Sequence, residues 1–212
     1  MKTAIISTVV ASFVATAASA GTIVAPTPDP VIMPTPAPVM SYWDGFYAGA
    51  ALGWATGEYT NYGNTPATVT PGDGFSYGGF VGYNFVMDGG FMVGAELAGG
   101  RFSLEDAAAV NELNMTLFDA KLRVGFEADR ALVYASGGYT MGTGEVVNTS
   151  PGSPYSGEGT GWNLGAGVDY LVTDSMFVGA EYVYRDITDS LNATPAWDAQ
   201  FHTFSVRAGI KF

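Results

Sequence analysis

The histidine His202 and the nearby serine Ser205 are the first residues to test for chemistry. They stand three apart in a segment, 201–212, that alternates strictly between apolar and polar residues. Side chains along a strand alternate between two faces. His202 therefore falls with Phe204, Val206, Ala208, Ile210 and Phe212, while Ser205 falls with Thr203, Arg207 and Lys211. A serine nucleophile and its base must share a face, and these do not. The chain has no cysteine, which removes thiol chemistry, thiolate metal sites and disulfides. The glycine-rich run Gly157-Glu158-Gly159-Thr160-Gly161 lacks the Lys-Ser/Thr and the following helix of a phosphate loop, and reads as a flexible loop. No catalytic, cofactor-binding or metal-ligating set emerges.

The charges that do share a setting are Glu96, Lys121, Arg123, Glu181 and Arg207. Each sits on the polar face of an otherwise apolar alternating segment. Counted from the segment ends, they fall at similar depth, so neighbouring strands offer opposite charges. In a low-dielectric wall unpaired charge is costly. The expectation is a network of ion pairs, which either plugs an interior or lines a narrow wet channel.

The elements that would position these residues are strands. Period-2 alternation runs through 46–57, 75–86, 91–99, 116–126, 132–141, 161–171 and 176–185 as well as the last segment. The fourth sends Phe118, Ala120, Leu122, Val124 and Phe126 one way, and Asp119, Lys121 and Arg123 the other. Between strands, four-residue turns at 87–90, 127–130 and 172–175 alternate with long polar loops at 58–74, 100–115, 142–160 and 186–200. Eight strands of about ten residues, an even count and short-long alternation describe a transmembrane β-barrel: all-β, eight-stranded, antiparallel and up-and-down. A soluble sandwich shows the same alternation with its faces exchanged, but has no reason to alternate loop lengths. Aromatics are expected in two girdles, Phe46, Phe85, Phe91, Phe126, Tyr170, Phe177 and Phe212 at the short-turn end, and Trp54, Tyr77, Tyr139, Trp162, Tyr184 and Phe204 at the other.

Composition agrees with a lipid setting. Hydrophobic residues make up 48% of the chain and charged residues 13%, against about 25% charged in ordinary soluble domains. Residues 1–20 read as an export signal, with Lys2, an apolar stretch over 4–14 and Ala18-Ser19-Ala20. Residues 21–42 form a Pro-rich periplasmic linker, and 43–212 the barrel domain. The formal net charge of −12 argues against nucleic acid, which needs a basic surface. Acidic residues dominate the predicted long loops, where only Arg101 opposes them.

Several pieces together resemble the small outer-membrane β-barrel (porin-like) proteins of Gram-negative bacteria, of alphaproteobacterial type. They are Trp43-Asp44-Gly45-Phe46-Tyr47-Ala48-Gly49, Gly82-Tyr83-Asn84, Val93-Gly94-Ala95-Glu96 and Gly137-Gly138-Tyr139. Gly161-Trp162-Asn163-Leu164-Gly165-Ala166-Gly167-Val168-Asp169-Tyr170, Gly179-Ala180-Glu181-Tyr182 and the final Phe212 complete the set. The resemblance covers about residues 43–212. It implies location in the cell outer membrane and a C-terminal signal, Phe212, read by the barrel-assembly machinery. It implies contact with outer-membrane lipid and lipopolysaccharide, leaves an extracellular or cell-wall partner open, and calls for no cofactor. It does not fix one activity. A structural or surface-interaction protein with a plugged lumen is expected first, a small-solute porin second and a lipid-A-modifying barrel enzyme third.

Overall fold

In the computed structural model the described residues are 41–61, 67–69, 71–106, 111–148, 155–188 and 197–212. The expected signal and residues 21–40 of the expected linker lie outside them. Eight long strands form the wall: β1 (Gly45–Asn61), β3 (Pro71–Val86), β4 (Phe91–Asp106), β5 (Asn111–Ala128), β6 (Ala131–Asn148), β7 (Tyr155–Leu171), β8 (Met176–Thr188) and β9 (Trp197–Lys211). A three-residue strand, β2 (Ala67–Val69), pairs only with the end of β1. Each long strand pairs antiparallel with the next, and β1 pairs with β9 from Tyr47↔Lys211 to Asn61↔Trp197. Closure leaves no free edge along the wall, which hydrocarbon would not tolerate.

The outward faces define the band that lipid must cover. On β5 the outward positions Phe126, Val124, Leu122, Ala120 and Phe118 are apolar and exposed, and Thr116 is the first polar one. On β7 they are Tyr170, Val168, Ala166, Leu164 and Trp162, followed by Thr160. Five outward positions span nine residues, or about 30 Å of strand, and a tilt of about 40° turns that into a band about 23 Å tall. This matches the apolar belt of an outer-membrane barrel.

The short turns are built for tight reversal. Gly89 and Gly90 adopt φ of 90° and 86°, and the Met87 N–H donates to the Phe91 carbonyl at 2.8 Å. Between β5 and β6 the loop shrinks to Asp129 and Arg130, with Asp129 at φ 55°. Aspartate is among the few residues that tolerate this region.

Three expectations need correction. The strands run 13 to 18 residues rather than about ten, and much of the expected long loops is strand. Pairing continues beyond the apolar band because a paired backbone satisfies itself whether lipid or water lies outside. The run 157–161 is therefore part of β7 and no loop. Phe177 does not join the girdle: it shares parity with Gly179 and Glu181 and is buried inside the barrel. Alternation outranks proximity to a strand end.

Candidate functional site in the barrel interior

The inward faces stack into layers, readable along single strands. From the short-turn end, β4 presents Met92, Glu96, Ala98 and Phe102; β5 presents Arg123, Lys121, Asp119, Leu117 and Met115; β8 presents Phe177, Glu181, Val183, Arg185 and Ile187. An apolar layer of Trp43, Tyr47, Phe80, Met92, Leu132, Tyr134, Leu171 and Phe177 comes first. A charged belt follows, and a second apolar layer of Ala55, Phe102, Met115, Leu117, Ile187, Ala199 and Phe201 fills the far end. An eight-stranded barrel is just wide enough for side chains to fill.

The belt brings together all five of the charges singled out by sequence. Glu96 is its hub. Its Oε1 lies 2.7 Å from Lys121 Nζ, and its Oε2 lies 2.6 Å from Arg207 Nη2 and 3.3 Å from Arg123 Nη1. Glu181 pairs with Lys121 at 2.9 Å and with Arg207 at 3.3 Å. A sixth member, Asp169, pairs with Arg123 at 3.0 Å and Arg207 at 3.4 Å. Three carboxylates thus face three cations. Two tyrosines tie in: Tyr47 Oη donates to Glu96 at 2.9 Å and accepts from Arg123, while Tyr134 Oη accepts from Arg207 at 2.9 Å. The guanidiniums also stack on rings, Arg123 3.7 Å from the Tyr134 centroid and Arg207 3.9 Å from that of Phe80. Cations between carboxylates and ring faces are held from both sides.

A second polar group lies beyond the belt. Asp119 receives Arg185 Nη2 at 2.5 Å and Thr140 Oγ1 at 2.7 Å, and Arg185 Nη1 donates to Thr203 at 2.9 Å. Among the described residues the buried charges number four acids and four bases, so this group is neutral. The chain's charge of −12 therefore belongs to residues outside this interior. The cavity between the two polar groups, lined by Ser76, Glu96, Asp119, Lys121 and Arg185 among others, measures about 60 Å³. That volume holds water molecules and little more.

Glycines make room for the inward rings. Gly82 faces Tyr47, Gly49 faces Phe80, Gly167 faces Tyr134 and Gly209 faces Phe177, each pair directly opposite on adjacent strands. A Cβ at Gly82 would overlap the Tyr47 hydroxyl, and one at Gly209 would meet Phe177 Cζ at 2.5 Å. Asp169, Tyr47, Tyr134 and this pairing were missed at the level of sequence. The signal available was a glycine on the inward face opposite each of these four rings.

The short-turn end is closed by the segment before β1. Ser41 Oγ donates to Glu127 Oε2 at 2.6 Å and the Tyr42 N–H to Glu127 Oε1 at 2.7 Å. Lys211 Nζ donates to the Tyr42 carbonyl, and the Val86 N–H to Asp44 at 3.0 Å. Anchored to β5, β9 and β3, the segment drives Trp43 into the barrel, where it is 2% exposed and 5.5 Å from Phe177. Phe212, by contrast, lies on the exterior, its N–H donating to the Phe46 carbonyl at 2.9 Å. His202 also stands on the outward face, with Nδ1 2.6 Å from Tyr182 Oη. Ser205 Oγ donates to the Glu181 carbonyl from the opposite face.

A closed barrel with a lipid-width apolar belt outside and paired charges within is an integral outer-membrane β-barrel protein. The chain belongs to the outer membrane protein beta-barrel domain family, whose model matches residues 8–212. It is 29% identical to the 31 kDa outer-membrane immunogenic protein of Brucella melitensis over the full length of both chains. It is 28% identical to the 22 kDa outer membrane protein of Rhizobium leguminosarum, over 68% of this chain and 64% of that one. Among solved structures it resembles Neisserial surface protein A, with a TM-score of 0.57 and 18% identity over 80% of this chain and 98% of the other. That last likeness bears on fold alone.

Proposed function

We propose that this protein is a non-enzymatic outer-membrane barrel with a sealed lumen, whose role is structural or one of surface interaction. The carrying observation is the neutral belt of Glu96, Lys121, Arg123, Asp169, Glu181 and Arg207, filled above and below by apolar side chains. A pore for ions needs a continuous wet path. Here each charge already has a partner, and the cavity beside the belt is of water size. The immunogenic character named for the Brucella relative supports exposure of the far-end strands to the exterior. A lipid-modifying activity finds little support, since His202 bonds Tyr182 and shares no face with Ser205.

Its partners on this reading are outer-membrane lipid and lipopolysaccharide around the apolar band, and the barrel-assembly machinery at Phe212. Purified protein in planar bilayers is the test. Silence is expected, and a steady single-barrel conductance would replace this reading with a small-solute porin.

A further inference from the structure

The first polar residue above the apolar band marks where lipid headgroups begin. These residues are Thr56 on β1, Arg101 on β4, Thr116 on β5, Thr143 on β6, Thr160 on β7, Asp186 on β8 and His202 on β9. The other outward charges at this end with described side chains are acidic: Glu58, Glu158, Asp186 and Asp198. Arg101 is the one cation among them, it is exposed, and no carboxylate lies within ion-pair distance among the described residues. An outward arginine at headgroup depth, with no acid within ion-pair distance among the described residues, calls for an anion from outside the chain.

The surroundings of Arg101 are suited to one. Tyr77, Arg101, Thr116 and Thr143 form a single row across β3, β4, β5 and β6, each directly opposite the next. With Ser103 and Asn114 they line a surface pocket of about 450 Å³. Ser103 Oγ donates to Asn114 Oδ1 at 2.9 Å, which leaves the Asn114 amide N–H groups for a ligand. Guanidinium with hydroxyl and amide donors around it is the donor set that phosphate oxygens take, because the planar fork can bind two oxygens at once.

Just below the pocket the wall is bare. Gly79 and Gly99 oppose each other on the outward face, bordered by the Phe118 ring. Two directly paired positions without a side chain make this strip a shallow groove leading from the hydrocarbon towards Arg101. A phosphate can come from solution or from a lipid. The acidic chain repels soluble anions, whereas a lipid brings its phosphate in the membrane plane and adds apolar contact in the groove.

We propose that this pocket binds the phosphorylated sugar headgroup of an outer-leaflet glycolipid, with an acyl chain laid over Gly79 and Gly99. The site lies on the exterior wall and does not depend on whether the lumen is sealed.

The test uses the barrel in detergent micelles with diphosphoryl lipid A and its enzymatically dephosphorylated form, counted by native mass spectrometry. Wild type should prefer the phosphorylated lipid about tenfold, or ~1.4 kcal/mol. Arg101→Gln should bind both alike while keeping its heat-modifiable gel mobility. Gly99→Leu should weaken both lipids together and keep the preference. Free glucosamine phosphate should not displace the lipid. Equal binding of the two lipids by wild type, or an undiminished preference in Arg101→Gln, overturns the proposal. Displacement by free glucosamine phosphate at matching concentration overturns the lipid source.

Discussion

Glu96 is the residue on which the interior depends most, and Glu96→Gln tests that directly. The substitution keeps the shape and removes the charge that Lys121, Arg123 and Arg207 share. Three carboxylates against three cations become two against three, leaving one uncompensated positive charge inside a closed barrel. Removing one partner of a buried pair costs about 3–5 kcal/mol, and with three partners affected a loss of about 5 is expected. Adding Lys121→Met restores balance. Arg123 keeps Asp169 at 3.0 Å, and Arg207 keeps Asp169 at 3.4 Å and Glu181 at 3.3 Å. The double variant should recover about 3 kcal/mol relative to the sum of the singles. Urea unfolding in phospholipid vesicles, followed by tryptophan fluorescence, gives the numbers. A loss below about 1 kcal/mol in Glu96→Gln, or strict additivity in the double variant, would refute the electrostatic account.

Leu122, 71% exposed and third of the five outward positions on β5, should lie near mid-bilayer. Leu122→Arg is expected to cost about 2–4 kcal/mol in vesicle unfolding and Thr160→Arg under about 1, and similar costs for both would move the membrane band. Trp43→Ala empties a buried indole site and should cost about 3–5 kcal/mol in the same assay, yet planar bilayers should stay silent because the charged belt remains. Steady current in that variant would make Trp43 the seal. Deleting Phe212 should reduce the heat-modifiable fraction recovered from membranes. The barrels that do assemble should lose only about 1 kcal/mol, the hydrogen bond from the Phe212 N–H to the Phe46 carbonyl, since the side chain lies on the exterior. A normal recovered fraction would remove Phe212 from assembly.

Much of the fold was legible because a strand reports its two faces in its sequence. Phe118 to Phe126 and Trp162 to Tyr170 need only a period of two to place lipid on one side, and the even strand count with short turns pointed to closure. Strand ends were harder. Threonines and glycines above the band, as at Thr143 and Gly159, continue a ladder as readily as they form a loop, because pairing depends on the partner strand and not on local composition. Phe177 was misplaced by counting its distance from a turn, although its parity with Glu181 already put it inside.

The five belt residues were legible as inward charges of opposite sign, from parity and depth alone. Which carboxylate meets which cation was not, since Glu96 and Arg207 are 111 residues apart and meet only across the lumen. The same holds for Asp169, for Trp43 under the belt, and for Arg101 with Tyr77, Thr116 and Thr143 on the outer wall. The amino-acid sequence by itself determined the faces, because alternation is a property of each strand alone. Only the tertiary structure decided the partners, because curvature and register of the closed sheet determine which distant side chains share the same few ångströms.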